Sequence, residues 1–329
     1  MAQGTEGNSP GDGGSSVAGS QDRDDAFLAH RGMVFTIAYD ITGMAADAED
    51  VVQETYLRWR KVREPVANPR AYLARAATRQ ALNLLRTAAR RREDYPGEWL
   101  PEPLPTGASA RVYGEAGPEA AVLAAGEVST ALLVVLQTLS GPERAAFILH
   151  EVFDFGYPEI AAALDARQPA VRQLVHRARQ RVRGAARGPQ VPDAVEHGAV
   201  VERFMAAAST GRIQELLDLL APDAVLISDG GGKARAALRP VHGPEKVARL
   251  LLGLAGQYGA GATASFPELN GLPAVAFSEA GTVTTAFSLH VVQGRVQAVF
   301  IMRNPDKLVR LRETDQRGLR HWRTATLED

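Results

Sequence analysis

The chain has 329 residues, 45% of them hydrophobic, and its 37 basic and 38 acidic residues leave a formal net charge of −1 at pH 7. This length predicts two or three domains, and the balanced charge excludes a protein that is basic or acidic throughout. The absence of cysteine excludes disulfides, thiolate metal sites and cysteine nucleophiles, and it fits a cytoplasmic location. No apolar run approaches the ~20 residues that cross a bilayer, so we expect no membrane association. We also expect no metal and no cofactor.

The chain divides into segments of different composition. Residues 1–23 are rich in glycine and serine and are predicted to be a disordered tail. Residues 24–93 have a helical pattern and predict a first helical domain. Residues 94–118 contain five prolines and four glycines, which marks a linker. Residues 119–187 are again helical and precede a break at 188–192, so they predict a second helical domain.

In the first helical domain, the segment Asp47–Arg60 predicts a helix whose apolar side carries Val52, Tyr56 and Trp59. Acidic and amide side chains surround that side, and they are Asp47, Glu49, Asp50, Gln53 and Glu54. Acidic side chains in the first turn of a helix are stabilised by the positive end of the helix dipole, and this explains Asp47 and Glu49. It explains Gln53 and Glu54 less well, so a docking surface for a basic partner is an equal alternative.

The next helix, predicted over Pro69–Arg92, carries an aromatic ring, an amide and several guanidiniums within about a quarter turn of each other. These residues are Tyr72, Arg75, Arg79, Asn83, Arg86 and Arg90. Such a stripe can stack on bases, bond base edges and hold phosphates. A solvated arginine face is the alternative, but it gives no reason for Tyr72 and Asn83. The pattern therefore favours nucleic-acid binding.

The second helical domain ends, over residues 155–187, in two short helices joined by a tight turn. Pro158 and Pro169 suit the first turns of these helices. The last helix has an apolar stripe of Val171, Val175, Ala178 and Val182, opposite Arg172, His176, Arg179 and Arg183 with Gln173 and Gln180 alongside. A helix with one apolar face and arginine and glutamine on the other suits the DNA major groove. A solvated cationic helix is the alternative.

Beyond residue 192 the pattern changes from helices to strands rich in valine, threonine and phenylalanine. Helices are predicted over 194–208, 213–220 and 244–255, and strands over 224–227, 263–269, 274–277, 282–292 and 295–302. This order predicts an α+β domain with one curved sheet.

Catalysis in such a domain would need a titratable side chain, and the candidates are His290, Asp223, Asp229 and His242. A single strand histidine is more often a core residue. The run Asp229–Lys233 (DGGGK) predicts a sharp loop, because consecutive glycines permit positive φ. A phosphate cradle would need a helix directly afterwards, which 234–240 does not offer. A flexible hairpin tip is the plain alternative.

The two helical domains resemble bacterial extracytoplasmic-function sigma factors. The resemblance is carried by AEDVVQETYLRW, NPRAYLARAATRQALNLLR and LSGPERAAFILHEVFDFGYPEIAAALDARQPAVRQLVHRAR. Three further motifs, YPGEWLPEP (95–103), DGGGK (229–233) and NPDKL (304–308), resemble a subgroup with a SnoaL-like C-terminal extension. This implies a multidomain fold. Two all-α domains, sigma region 2 (24–93) and the sigma region 4 helix-turn-helix (119–187), precede an α+β SnoaL/NTF2-like cone with a curved mixed sheet (195–308) and a polar tail (309–329).

The resemblance also implies partners and residue roles. Core RNA polymerase would be bound through Asp47, Glu49, Asp50, Gln53, Glu54 and Trp59. The promoter −10 element would be read by Tyr72, Arg75, Arg79, Asn83 and Arg86, and the −35 element, as double-stranded DNA, by Arg172, Gln173, His176 and Arg177. Regulatory contacts would join Trp99, Leu100 and Pro101 to Asp229, Gly230, Gly231, Gly232 and Lys233 and to Asn304, Pro305, Asp306, Lys307 and Leu308.

We therefore expect a promoter-specific initiation factor without enzymatic activity, acting as one copy on the polymerase. Its C-terminal domain would modulate it in cis and has a pocket for an unidentified small ligand. One alternative is a one-component operator-binding regulator with a ligand-sensing C-terminal domain. Another is a SnoaL-type isomerase or cyclase with a DNA-binding appendage.

Overall fold

The computed structural model describes residues 14–106, 128–186, 194–257 and 262–313. The first domain consists of α1 (Gly14–Leu28), α2 (Arg31–Thr42), α3 (Ala45–Arg60) and α4 (Pro69–Glu93). The prediction of a disordered tail through residue 23 is wrong from Gly14 onwards. The end of α1 is anchored because Phe27 packs against Tyr56 and the Arg23 carbonyl accepts a bond from Trp59. Residues 1–13 lie outside the described ranges.

The second domain consists of α5 (Thr130–Leu136), α6 (Gly141–Phe147), a π-helical turn (Ile148–Val152), α7 (Tyr157–Leu164) and α8 (Gln168–Ala186). Pro158 occupies the first turn of α7, as predicted. Asp165 closes the turn between α7 and α8 with a left-handed backbone (φ 52°). The apolar stripe of α8 is buried, which confirms the predicted helix-turn-helix. The two helical domains share one continuous hydrophobic core, from Phe27 to Val182.

The C-terminal part is an α+β domain with a mixed sheet, which confirms the predicted fold class. Its elements are α9 (Ala194–Ser209), α10 (Ile213–Leu219), β1 (Leu220–Asp229), β2 (Val241–His242), α11 (Pro244–Ala255), β3 (Ala262–Ser265), β4 (Glu268–Leu269), β5 (Leu272–Pro273), β6 (Val275–Glu279), β7 (Thr282–Val292) and β8 (Arg295–Met302). The six-stranded sheet has the order β2-β1-β8-β7-β6-β3; β1 and β8 are parallel and the other neighbours antiparallel. The single strand predicted over 263–269 is wrong. It is two strands, because Pro267 lacks the N–H that a continuous ladder needs.

Both faces of this sheet are covered. One face packs against α9, α10 and α11 through a core that includes Phe204, Leu216, Leu251, Phe287 and Ile301. The other face carries Phe300 and Met302 and packs against the linker, α5 and the segment after β8, through Leu100, Ala131, Leu308 and Leu311. Strand β8 is therefore apolar almost throughout, as strands covered on both faces are.

The predicted linker is only partly a spacer. Residues 94–106 are packed between the domains, where Leu100 and Leu104 are 2% and 5% exposed. Residues 107–127 lie outside the described ranges. Two 3-10 turns, Pro305–Lys307 and Val309–Glu313, follow β8. Within the described ranges, no helix is both long and apolar enough to cross a membrane.

Candidate functional site

The acidic face of α3 borders a cleft. Asp47, Glu49, Asp50, Gln53 and Glu54 all keep exposed surface. Beside them a cleft of about 650 Å³ is lined by Asp24, Phe27, Leu28, Arg31, Glu49, Val52, Gln53 and Tyr56. Leu28 at its edge is 50% exposed. Apolar side chains edged by carboxylates suit a protein partner that offers apolar and basic side chains.

Two residues of α3 differ from expectation. Trp59 is 2% exposed and its Nε1 donates to the Arg23 carbonyl at 2.7 Å, so its predicted direct contact with a partner is wrong. The indole supports α3 from the core. Glu49 is half-buried, and its Oε2 accepts a bond from Arg310 Nη2 at 2.7 Å. One predicted partner contact is thus occupied by the segment after β8.

The stripe on α4 forms two small groups. The Tyr72 ring lies 5.4 Å from the Trp59 ring, and the Arg75 guanidinium lies 5.4 Å from the centre of the Tyr72 ring. One turn or more further along, Arg86 Nη1 donates to Asn83 Oδ1 at 2.9 Å, and both residues are exposed. The aromatic end of the stripe is therefore braced by the core, while its amide end faces solvent.

Arg79, one of the residues predicted to read the −10 element, contacts the second domain in this structure. Its Nε donates to the Ala163 carbonyl at 3.1 Å and its Nη2 to the Ala162 carbonyl at 2.9 Å. These carbonyls belong to the last turn of α7, where a cation is favoured by the helix dipole. Arg70, at the start of α4, lies 4.1 Å from the Phe155 ring centre. The stripe of the first domain and the helix-turn-helix of the second are thus in direct contact.

The polar face of α8 is accessible. Arg172, Gln173 and His176 are exposed, and the Arg172 guanidinium lies 5.4 Å from the Tyr157 ring centre. A cleft of about 530 Å³ is lined by Tyr157, Arg172, Gln173, His176, Arg177 and Arg179. The guanidinium of an arginine that is stacked on a tyrosine is partly oriented before it binds a base edge or a phosphate.

Arg177 is bound to the domain's own acid. Its Nε donates to Glu143 at 2.9 Å, and Arg181 Nη1 donates to the same carboxylate at 2.7 Å. Burial alone would raise the pKa of Glu143, but bonds from Arg177 and Ser140 and the charge of Arg181 outweigh it and lower the pKa to about 2. The ionised Glu143 therefore fixes two arginines at the edge of the α8 face.

The three C-terminal and linker motifs meet at one buried ion pair. Lys307 Nζ lies 2.7 Å from Asp229 Oδ2, and the two side chains are 3% and 0% exposed. Lys307 also donates to the Leu100 carbonyl at 2.6 Å and lies 3.9 Å from the Trp99 ring centre. We call Tyr95, Trp99, Leu100, Asp229, Asn304 and Lys307 the motif cluster.

The other lone pairs of Asp229 are also used. Its carboxylate accepts bonds from the Tyr95 hydroxyl at 2.6 Å, the Leu100 N–H at 2.9 Å and the Gly231 N–H at 3.0 Å. Asn304 Nδ2 donates to the Tyr95 hydroxyl at 2.8 Å. Burial, and next the bond to Asp229, raise the pKa of Tyr95, so the phenol stays protonated as a donor. A buried charge with this many partners is fully compensated.

The glycine run lets the DGGGK loop approach its neighbours closely. Gly232 has φ 69°, and a Cβ on it would lie 2.7 Å from Pro96. A Cβ on Gly231 (φ 58°) would collide with the Asn304 amide. The loop is packed and no helix follows it before residue 240, so it is neither a flexible tip nor a phosphate cradle. At its exposed end, Lys233 pairs with Asp306 at 2.5 Å.

The remaining predicted contact residues lie around the cluster. Pro101 is buried beside Gly43 of the first domain, and Leu308 is fully buried against the sheet. Pro305 opens the 3-10 turn after β8, which Asn304 caps by accepting a bond from the Asp306 N–H at 3.1 Å.

Sequence reasoning missed Glu102. This residue is 4% exposed, and its carboxylate accepts a bond from the Ala45 N–H at 2.8 Å, at the first turn of α3. Its carbonyl accepts the Tyr39 hydroxyl, and Arg310 Nε lies 3.3 Å from its Oε1. Burial raises the pKa of Glu102, although the bond from Ala45 and the charge of Arg310 oppose this. The linker is thereby attached to the helix that carries the acidic face.

Asn270 was missed as well. Its amide donates to the Tyr39 hydroxyl at 2.8 Å and accepts from the Leu104 N–H at 3.3 Å and the Thr130 hydroxyl at 3.4 Å. These partners belong to the first domain, the linker and the second domain. An Asn-Gly pair signals a tight hairpin from sequence, but nothing in the sequence signals these three bonds.

The titratable candidates of the α+β domain do not converge. His242 is exposed on edge strand β2, three strands or about 14 Å from the strand that carries His290. Asp223 is exposed and Asp229 is held in the ion pair. A further histidine, His197, is 1% exposed, and burial, then His290, lower its pKa. His290 therefore lies close enough to His197 for the two rings to interact, while Asp229 is engaged in its own ion pair.

Comparison with known proteins identifies related chains. The family models for sigma-70 region 2 and sigma-70 region 4 match residues 26–91 and 129–182. The chain is 38% identical over 297 residues to the ECF RNA polymerase sigma factor SigJ of Mycobacterium tuberculosis, covering 85% of this chain and 91% of that protein. It is 32% identical over 205 residues to the probable ECF sigma factor SigI of the same species, covering 60% and 66%. The crystal structure of M. tuberculosis SigJ superposes with a TM-score of 0.68 at 35% identity, covering 86% of this chain and 97% of that one.

Proposed function

This chain belongs to the extracytoplasmic-function sigma factors, and on that premise we propose that its C-terminal domain restrains the sigma domains in cis. As a sigma factor the protein binds core RNA polymerase and directs initiation at specific promoters. An operator-binding regulator is not favoured, because both sigma regions match. Action in the cytoplasm and one copy per polymerase are part of the proposal.

One observation carries the restraint, and it is the direct contact between α4 and α7. The −10 and −35 promoter elements lie about 25 base pairs apart, and this corresponds to about 85 Å of duplex at ~3.4 Å per base pair. Here Arg79 of α4 bonds the last turn of α7, and α8 packs directly on α7. The two predicted DNA-reading faces in this arrangement are too close together to reach both elements. The domains must separate before initiation.

The C-terminal domain supports the closed arrangement through the linker. The motif cluster and Asn270 attach residues 95–104 to the α+β domain, while Glu102 attaches the same segment to α3. Because Asn270 also bonds Thr130 of the second domain, the α+β domain holds both sigma domains in the closed arrangement. Arg310 additionally covers Glu49, one of the proposed polymerase contacts.

In the released state we assign the contacts as follows. Asp47, Glu49, Asp50, Gln53 and Glu54, with the neighbouring cleft, would bind core polymerase. Tyr72, Arg75, Arg79, Asn83 and Arg86 would engage the −10 element, and Arg172, Gln173, His176 and Arg177 the −35 element. Arg79 and Arg177 become available only when they leave Ala162, Ala163 and Glu143. We assign no chemistry to the α+β domain, since the predicted candidates His242 and His290 lie three strands apart and Asp229 is held in the ion pair.

A reversible covalent lock tests this restraint. Pro105 and Leu269 form an antiparallel bridge between linker and α+β domain, flanked by main-chain bonds on both sides. Such a non-hydrogen-bonded pair has a Cα separation of about 4.5 Å, which suits a disulfide. Because the chain has no cysteine, a Pro105→Cys/Leu269→Cys variant can form only this one disulfide within the chain, and its monomeric form is used.

The variant is oxidised, freed of oxidant and compared with its reduced form in run-off transcription with core polymerase. We expect at least a tenfold loss of transcript when oxidised and recovery on reduction. Single Pro105→Cys treated identically is the control and should not respond. Equal transcription by the oxidised and reduced double variant would contradict the restraint, because the linker would then function while fixed.

A further inference from the structure

A cavity of about 270 Å³ lies between α11 and the ends of β1 and β8. Its apolar wall includes Leu250 and Leu254 of α11 and Ile301 of β8. Two arginines, Arg235 and Arg303, also line it, and none of the described lining residues is acidic. Its volume is close to the lower end, about 300 Å³, of small-molecule pockets.

Arg303, which lines this cavity, has a side-chain donor without an acceptor. Its Nη1 donates to the Arg235 carbonyl at 2.8 Å. Its Nε is shielded from solvent and has no partner within the described chain. Nε and Nη2 form the other edge of the guanidinium, and two parallel N–H groups are the geometry that a carboxylate binds bidentately. An unpaired buried N–H is costly, so an anion there would be favoured.

We propose that this cavity binds a small organic acid with an apolar body and a single carboxylate. The carboxylate pairs with the side chain of Arg235 and with the free edge of Arg303, whose guanidinium turns towards the cavity so that the shielded Nε can reach the ligand. The hydrocarbon lies against Leu250, Leu254 and Ile301. An apolar pocket with a few convergent polar groups takes this kind of ligand.

The walls of the cavity lead directly into the motif cluster. Ser228 on its wall precedes Asp229, and Arg303 precedes Asn304. The Arg303 N–H itself donates to the Asp229 carbonyl at 2.7 Å. A ligand that holds Arg235 and Arg303 would order the backbone that carries Asp229 and Asn304, and we infer that it thereby increases the population of the closed arrangement. The regulatory half of this inference, that the ligand inhibits, rests on the proposed cis restraint; the binding half does not.

Binding is tested first, on the full chain without polymerase, with octanoate as the probe and octan-1-ol as its uncharged match. Calorimetry should give about tenfold tighter binding of octanoate than of octanol, as a charge-assisted bond contributes. Arg303→Gln should remove that difference and keep octanol binding, which also shows that the cavity is intact. Leu250→Trp should fill the cavity and abolish binding of both. Arg239→Gln, an exposed arginine nearby that does not line the cavity, is the control and should bind as the parent does.

Equal affinities for octanoate and octanol, or octanoate binding unaltered by Arg303→Gln and Leu250→Trp, would overturn the site. Coupling is tested separately by hydrogen–deuterium exchange of the segment containing the Leu100 amide, which donates to Asp229. Saturating octanoate should slow this exchange at least threefold in the parent and not in Leu250→Trp. Unchanged exchange would overturn the coupling, and neither result depends on transcription by the locked variant.

Discussion

Replacing Lys307 by methionine should release the linker from the α+β domain. The ammonium is almost fully buried and pairs with Asp229, which has no exposed surface. Removing one partner of a buried ion pair costs about 3–5 kcal/mol, because a buried charge is left uncompensated. Asp229 keeps bonds from Tyr95, Leu100 and Gly231, so we expect about 3 kcal/mol.

A loss of about 3 kcal/mol favours the undocked linker by about a hundredfold, since each 1.4 kcal/mol is a factor of ten. The Leu100 amide reports this change, because it is protected by its bond to Asp229. Its segment should exchange about a hundredfold faster in Lys307→Met, and transcription from a cognate promoter should rise.

The chain offers a matched control in the same two motifs. Lys233 and Asp306 also form an ion pair, but their side chains are 56% and 60% exposed. Surface pairs contribute about 0–1 kcal/mol, so Lys233→Met should change exchange less than about fivefold. The double variant Asp229→Asn/Lys307→Met removes the uncompensated charge and should recover part of the protection. Equal effects of the two lysine variants, or no recovery in the double variant, would refute the reasoning.

Three further predictions concern the helical domains. Arg70→Gln removes the contact with the Phe155 ring and the bond to the Phe153 carbonyl, so it should lower the free energy of urea unfolding by about 1 kcal/mol, whereas exposed Arg167→Gln should not; equal stabilities would contradict this contact between the domains. Because the pKa of Glu143 is lowered to about 2, its ionised form stabilises the fold fully above its ordinary pKa of about 4.5 and progressively less as pH falls towards 2. Glu143→Gln should thus cost roughly 2–3 kcal/mol in urea unfolding at pH 7 and little near pH 2, and a cost independent of pH would count against this. Arg172→Ala should relax discrimination at one base pair of the −35 element, by about tenfold at fixed salt, while Arg183→Ala should weaken all sequences alike; equal loss on all sequences from both would contradict base reading by Arg172.

Local periodicity was enough to predict most of the fold. The buried stripe of α8 and the bounds of β7 and β8 follow from the spacing of apolar residues alone. Every second side chain of a strand, and every third or fourth side chain of a helix, faces the core. The α+β class followed from the order of these elements. The errors at Gly14 and Pro267 are local too. The tail was predicted to be disordered from its glycine and serine content, which does not exclude a helix. The strand over 263–269 was predicted without regard to the proline within it.

The contacts of the candidate site were less accessible to such reasoning. Trp59 lies on the apolar side of an amphipathic helix, and periodicity does not reveal whether a partner or the protein's own α1 covers that side. Arg79 reads as a nucleic-acid contact because its stripe is cationic, yet its bonds go to α7, more than eighty residues away in sequence. Asn270 and Arg310 lie in a hairpin turn and a polar tail, and their partners are determined by how the domains dock.

The distribution of buried and exposed charges sets an order for release. The Arg310–Glu49 pair is accessible: the guanidinium is 31% exposed and Glu49 is 40% exposed, so a basic surface of the polymerase can compete with Arg310 for Glu49 at little cost. The Lys307–Asp229 pair is inaccessible to such competition, since no partner can reach it before the linker moves. Polymerase would therefore engage the acidic face of α3 first. The free energy of that contact would then favour breaking the bond between Glu102 and the Ala45 N–H, which joins the linker to α3. In this order the motif cluster opens only after polymerase has bound α3. The apparent affinity for polymerase is then the affinity of the open form multiplied by the fraction of molecules that are open.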